Sequence, residues 1–329
     1  MRQVVGMERN THLVGQSTSF LDAVERASRA APLDRPVLVI GERGTGKELI
    51  AERLHHLSSR WDGPLIVMNC AALPETLIEA ELFGHEAGAC TGATKARPGR
   101  FEEANGGTLF LDELATLSSP AQDRLLRAIE YGEVTRIGSS RPLTVDVRIV
   151  AATNEHLPRL VDEGRFRADL LDRLSFEVVT LPPLRHRQSD IPVLTEFFGR
   201  RMARDIEMDA WPGFSAEAMA KLQAYDWPGN VRELRNVLER AVILAGEGLI
   251  LPSHLIAFGD SNAATIESSD PEAITLRVGT TVREGEKALI LKTLEHTENN
   301  KTRAAQILEV SLKTLHNKLK EYSQQDSDE

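Results

Sequence analysis

Apolar residues recur along this chain in two rhythms, and the alternation between them predicts its layers. Phe20, Leu21, Val24, Ala27 and Ala30 follow one another at helical spacing, with Ser17 and Thr18 placed to cap the start. Pro36 then introduces Val37 to Ile40, a β-branched run that reads as a buried strand. A helical pattern returns from Glu48 to Leu57. Leu65 to Met68, Leu109 to Leu111 and Val147 to Ala151 are further strand candidates with helical stretches between them. Short apolar strands alternating with helices predict a parallel sheet covered on both faces.

From about Asp190 to Leu244 the pattern is helix after helix, punctuated by Trp211-Pro212-Gly213 and Trp227-Pro228-Gly229, which predicts a helical lid. Periodicity is lost between 246 and 280, where Gly259-Asp260-Ser261-Asn262 and Ser268-Ser269-Asp270-Pro271 mark a linker. A compact helical segment follows and ends in a polar tail. The expected organisation is an α/β unit over 1–185, a helical lid over 186–245, a linker over 246–283 and a small helical domain over 284–329.

Composition narrows the class. A chain of 329 residues, 41% hydrophobic and 27% charged, is long enough for about two soluble domains with real cores. The net charge of -10 means that any nucleic-acid site is a local basic face. Two cysteines, Cys70 and Cys90, make neither a disulfide framework nor a metal cluster and suit a reducing compartment. Glu8, Asp22 and Glu25 interrupt the N-terminal stretch, so no signal-peptide core is present, and the apolar runs are far short of a membrane span. A cytoplasmic protein without membrane insertion is expected.

The first chemistry follows the strand at 37–40. Gly41-Glu42-Arg43-Gly44-Thr45-Gly46-Lys47 matches G-x-x-x-x-G-K in the strand–loop–helix setting that this motif requires. Its glycines let backbone N–H groups converge on phosphate oxygens, and Lys47 adds charge at the β and γ positions. Glu48 stands where the general motif has the hydroxyl that ligates Mg2+. Downstream, Thr108 to Glu113 is an apolar strand ending in paired carboxylates: Asp112 to hold Mg2+ and Glu113 to polarise the attacking water. Together the motifs predict ATP binding. Phosphoryl transfer also calls for cations aimed at the γ-phosphate, and Arg167, Arg173 and Arg232 are the candidates. On spacing alone Asp169 and Arg173, at i and i+4, read rather as a surface ion pair.

These motifs, with Glu81-Leu82-Phe83-Gly84-His85-Glu86, Phe166-Arg167-Ala168-Asp169-Leu170, Leu181-Pro182-Pro183-Leu184-Arg185 and Trp227-Pro228-Gly229-Asn230-Val231-Arg232-Glu233-Leu234, resemble the AAA+ domain of sigma-54-dependent bacterial enhancer-binding proteins. The resemblance covers about residues 13–245 and is closest, over Ala31 to Trp61, to the phage-shock members. It implies an α/β AAA+ P-loop ATPase with a helical lid. In that family Glu follows the P-loop Lys, which accommodates Glu48. The resemblance also implies that Asn69 holds Glu113 away from water and that Thr153 senses the γ-phosphate. It makes Arg167 and Arg173 fingers reaching a neighbouring subunit's site, and Arg232 a second sensor. Fingers acting in trans imply a homo-oligomeric ring, by resemblance a hexamer.

Members carry G-A-F-T-G-A on a loop that touches sigma-54 in RNA polymerase holoenzyme; here it reads Gly88-Ala89-Cys90-Thr91-Gly92-Ala93. The glycines are kept and the aromatic tip is replaced by Cys90. Losing an aromatic interface anchor costs about 1–3 kcal/mol. The expected function is ATP-dependent activation of the sigma-54 closed complex. Two other readings stay open: a DNA-binding regulator that does not remodel sigma-54, and a subunit of a mixed ring. The motor motifs begin near residue 13, so control is expected from a partner, an inhibitory protein by resemblance to the phage-shock members.

Between residues 286 and 321 basic side chains outnumber acidic ones seven to five. Asn300 to Leu308, then Val310 to Leu319, has the form helix, turn, helix, with Ala304, Ala305, Leu308, Val310, Leu312, Leu315 and Leu319 as the packing face. Ser311, Lys313, Thr314, His316, Asn317 and Lys318, with Lys301 and Arg303, would meet base edges and phosphates of double-stranded DNA. The segment resembles the Fis-type helix-turn-helix of enhancer-binding proteins, which implies a dimeric reader of an upstream site.

Overall fold

The apolar runs assemble as strands of one sheet. The computed structural model describes residues 13–89, 95–255, 282–297, 300–308, 310–311, 314–315 and 318–319. The chain divides into two units, Met1–Ala257 and Phe258–Glu329. The first opens with α1 (Thr18–Ala30), β1 (Val37–Ile40), α2 (Lys47–His56), β2 (Leu65–Asn69), α3 (Glu75–Phe83), α4 (Arg100–Glu103) and β3 (Thr108–Asp112). It continues with α5 (Ser119–Tyr131), β4 (Glu133–Thr135), β5 (Pro142–Thr144), β6 (Arg148–Thr153), α6 (Leu157–Asp162), α7 (Ala168–Leu174) and β7 (Glu177–Thr180). The lid helices α8 (Asp190–Asp205), α9 (Ala216–Ala224) and α10 (Asn230–Ala245) follow.

The sheet is parallel, in the order β2-β3-β6-β1-β7. Alternate strand residues face opposite layers, because side chains in a strand repeat every second position. Val37, Val39, Phe110 and Val150 pack beneath α1 and α2, while Leu38, Leu109, Leu111 and Ile149 pack against α3, α5 and α7. This arrangement requires continuous apolar runs and explains why those runs were readable. β7 and the antiparallel β4–β5 hairpin were not read from the sequence. In β7, Val178 and Val179 are the apolar pair between Glu177 and Thr180, too short a run to carry the pattern. Leu21, expected on the packing face of α1, is 48% exposed; Ala23 is buried in its stead. Strand register brings Asn69 beside Asp112 and Ile40 beside Thr153, so the candidate site residues gather at the carboxyl edge of the sheet.

The lid has its own core, with Leu194, Leu222, Leu234 and Leu238 around Trp227. That packing runs past 245: Ile250 and Leu255 are buried in the same cluster, so the segment expected to begin the linker belongs to the lid. Trp227 is 1% exposed and its indole donates to the Leu222 carbonyl at 2.8 Å. Trp227→Ala is expected to destabilise the lid by about 3–5 kcal/mol, the range for aromatic-to-alanine changes in a core. Thermal unfolding followed by circular dichroism checks this, and an unchanged melt would refute it.

In the second unit α11 (Val282–His296) supplies Ile290 and Leu294 to a small core with Ala304 and Ala305 of α12 (Lys301–Ile307) and with Leu315. Leu308 and Leu319 pack against that core, but Val310 does not: it is 38% exposed. Leu312 lies outside the described residues.

Candidate nucleotide site and DNA reader

The loop between β1 and α2 is built by two glycines with positive φ, Gly44 at +79° and Gly46 at +103°, conformations that L side chains rarely adopt. Gly46 ends the loop and α2 begins at Lys47, so first-turn N–H groups point into the space above the sheet edge. Lys47 is buried; its Nζ donates to the Gly41 carbonyl at 2.9 Å and the Glu42 carbonyl at 3.4 Å. Burial pulls its pKa below the ordinary lysine value, while Asp112 and Glu113 pull it back up. Thr45 closes the loop by donating to the Glu42 carbonyl at 2.8 Å.

Asp112 and Glu113 leave β3 toward the same space. Glu113 takes φ +53° and is 7% exposed. Its N–H donates to Asp112 Oδ1 at 3.0 Å, and its carboxylate accepts from Arg43 Nε at 3.3 Å. Asn69 donates instead to Asp112 Oδ2 at 3.4 Å and accepts from the Ala71 N–H at 2.9 Å. The expected hold of Asn69 on Glu113 is therefore not made: Arg43, expected only to touch nucleotide, is the side chain on Glu113. Thr153 is fully buried, and its hydroxyl accepts from the Glu155 N–H at 3.0 Å.

Lys47, Asn69, Asp112 and Glu113 border a cavity of about 490 Å3. Its lining joins the polar Arg43 to Glu48, Asn69, Asp112, Glu113 and Arg232 with the apolar Leu13, Val14, Phe20, Leu194, Phe197 and Phe198. A ligand with both a triphosphate and a flat base fits that mixture. Asp112 offers hard oxygen donors beside Lys47, which suits Mg2+. Gly41, Glu42 and Thr153 do not line the cavity. Glu42 is bound bidentately by Arg185, which holds its carboxyl at about pKa 2 and so ionised at neutral pH.

Arg167 and Arg173 are also absent from the lining. Arg167 pairs with Asp123 and, at 2.6 Å, with Asp169; Arg173 pairs with Glu130 at 2.8 Å. Asp169 thus serves Arg167, and the ion pair that spacing suggested between Asp169 and Arg173 is not the one formed. On the loop, Gly88 has φ +81°, and Cys90, Thr91, Gly92 and Ala93 lie outside the described residues.

In the second unit Asn300 caps α12 by accepting from the Arg303 N–H at 3.1 Å. Ser311 accepts from the Thr314 N–H at 3.0 Å, the capping bond of a new helical turn. Lys301, Arg303, Ser311 and Thr314 are exposed. Lys318 is half-buried and pairs with Glu286 at 2.5 Å, so its charge is partly spent within the unit. Lys313, His316 and Asn317 lie outside the described residues.

Three families match in succession: the Sigma-54 interaction domain over residues 13–180, the AAA+ ATPase lid domain over 185–270, and the bacterial regulatory protein, Fis family, over 281–322. The chain belongs to the sigma-54-dependent activator family. Its AAA+ motor fold and Fis-type helix-turn-helix are those of a sigma-54-dependent transcription regulator. Similar members include the Psp operon transcriptional activator of Escherichia coli (strain K12), 52% identical over 92% of this chain and 94% of that protein. Another is the transcriptional regulatory protein ZraR of Klebsiella oxytoca, 47% identical over 93% of this chain and 68% of that one. Among solved structures, NtrX from Brucella abortus in complex with ADP has a TM-score of 0.76 at 34% identity, covering 94% of this chain and 69% of that one. The ATP complex of the same protein has a TM-score of 0.74. No described helix of this chain is long and apolar enough to cross a membrane.

Proposed function

We propose that this chain assembles as a homo-oligomeric ring, a hexamer, that hydrolyses ATP with Mg2+ and uses the energy to open sigma-54 promoters from an upstream DNA site. The observation that carries the reading is the convergence of Lys47, Asp112, Glu113 and the lid's Arg232 on one cavity, with Arg167 and Arg173 both off it. Lys47 neutralises β- and γ-phosphate charge, and Asp112 would hold Mg2+, which supplies further charge neutralisation when bound. Glu113 orients and polarises the attacking water, and Arg232 reaches the terminal phosphate from the lid. Thr153, buried at the end of β6, fixes the loop after it rather than touching nucleotide. The loop at 84–95 carries the motion to sigma-54. The helix-turn-helix holds the ring at upstream double-stranded DNA through Lys301, Arg303, Ser311 and Thr314, with Lys313, His316 and Asn317 as further contacts of this reading. Such a regulator acts in the cytoplasm, and an inhibitory protein docked on the motor is the control attached to this reading.

Identity to an activator over nearly the whole chain favours activation over a regulator unable to remodel sigma-54. ATP-dependent opening of a sigma-54 promoter by the purified chain, with Cys90→Phe alongside, tests it. Opening by the natural chain is expected. Opening by Cys90→Phe alone would overturn the activator reading while leaving the motor intact.

A further inference from the structure

The phosphate-loop motif has one residue whose side chain turns away from the nucleotide. Arg43 to Glu48 line the cavity and Glu42 does not. Its carboxylate faces the lid, accepting from Arg185 Nη2 at 2.5 Å and Nη1 at 2.9 Å, and from Asn230 Nδ2 at 3.1 Å. Asn230 is fully buried at the start of α10 and also donates to the Arg43 carbonyl at 3.0 Å, while its Oδ1 accepts from the Leu184 N–H at 2.7 Å. One residue on, the Val231 N–H donates to the Gly44 carbonyl at 3.0 Å. Gly44 and Gly229 meet so closely that a Cβ on Gly44 would lie 2.2 Å from the Gly229 carbonyl oxygen.

The turn that delivers these bonds is strained, with Trp227 at φ +52° and Asn230 at φ +53°. Strain of this kind persists only where surrounding contacts over-determine it, and it gathers at functional positions. The Glu42–Arg185 pair is itself exposed, 40% and 37% at the side chains, so it contributes little to folding. Its two-point geometry fixes direction instead.

We propose that Glu42, through Arg185 and Asn230, is a positioning residue that clasps the start of α10 to the phosphate loop and thereby aims Arg232 at the terminal phosphate. The clasp rests on the cavity being the ATP site. It makes phosphate loop and lid one body at this point, so Arg232, two residues beyond Asn230, reports the γ-phosphate and not the base or the first phosphates. Glu42 should therefore affect discrimination between ATP and ADP, which a purely structural residue would not.

Binding of ATP and of ADP to the full chain, measured by displacement of a fluorescent nucleotide, tests this. Glu42→Ala is expected to weaken ATP about tenfold, the scale of one lost charge-assisted contact, and to leave ADP nearly unchanged. Arg232→Met should give the same pattern, and adding Glu42→Ala to it should change nothing further, because the two act through one contact. Arg185→Met, which removes the other partner of the pair, should follow Glu42→Ala. Equal losses for ATP and ADP, or losses that multiply in the double variant, would overturn the proposal. If the unaltered chain binds neither nucleotide, the ATP-site reading itself fails.

Discussion

Alanine at Arg173 is expected to lower ATP turnover by the assembled chain about 10³–10⁵-fold, the worth of an arginine that meets transition-state charge in phosphoryl transfer. ATP binding should survive. Arg173 lies off the cavity of its own chain, 60% exposed and paired with Glu130. In the proposed ring a cation off its own chain's cavity is placed to serve a neighbour's site. Were Arg173 an ordinary surface partner of Glu130, its loss would cost about 0–1 kcal/mol of stability and no activity. A large fall in turnover at an unchanged melting temperature separates the two. Arg167, held by both Asp123 and Asp169, is expected to follow in the same direction. Mixing Arg173→Ala with Glu113→Gln, each inactive alone, should restore activity, since the finger of one then enters the live site of the other. Normal turnover by Arg173→Ala, or no rescue in rings shown to contain both, would sink the in-trans reading.

How much of this was legible depends on what each residue answers to. The phosphate loop, the carboxylate pair and four strands were readable because backbone approach to phosphate demands glycine, and a doubly covered strand demands an unbroken apolar run. Both demands are local. β7 was not readable, since two valines between Glu177 and Thr180 become a strand only through pairing with β1, more than a hundred positions earlier. Side-chain partners were the least legible. Arg43 bonding Glu113, Glu42 turned to the lid and Asp169 serving Arg167 all hang on directions that spacing does not encode. The lid's end was misplaced for a related reason: Ile250 and Leu255 stand in two short apolar runs, Leu249 to Leu251 and Leu255 to Phe258, broken by Pro252-Ser253-His254, so no helical period announces them and only the lid core shows that they are buried.

Glutamine at Glu113 is expected to hold ATP and stop hydrolysing it, with turnover lower by about 10²–10⁴-fold, the range for a positioned general base. Gln keeps the size and the polar tip and removes the charge that draws the water's proton. The backbone supports this assignment. Glu113 sits at φ +53°, where a non-glycine residue is strained, and the strain is held by its own N–H on Asp112 and by Thr116, whose hydroxyl and N–H both donate to the Glu113 carbonyl at 2.8 Å and 3.1 Å. A turn so fastened aims one side chain, and what it aims at is the cavity that Lys47 also lines. In this structure one carboxylate oxygen accepts from Arg43, so on the proposed reading that bond competes with the attacking water for the same group. Single-turnover kinetics separate the two effects: ATP affinity within a few-fold of the unaltered chain, with the chemical step slowed. Turnover that barely falls, or ATP binding that vanishes with it, would move the catalytic base elsewhere or make Glu113 a structural carboxylate.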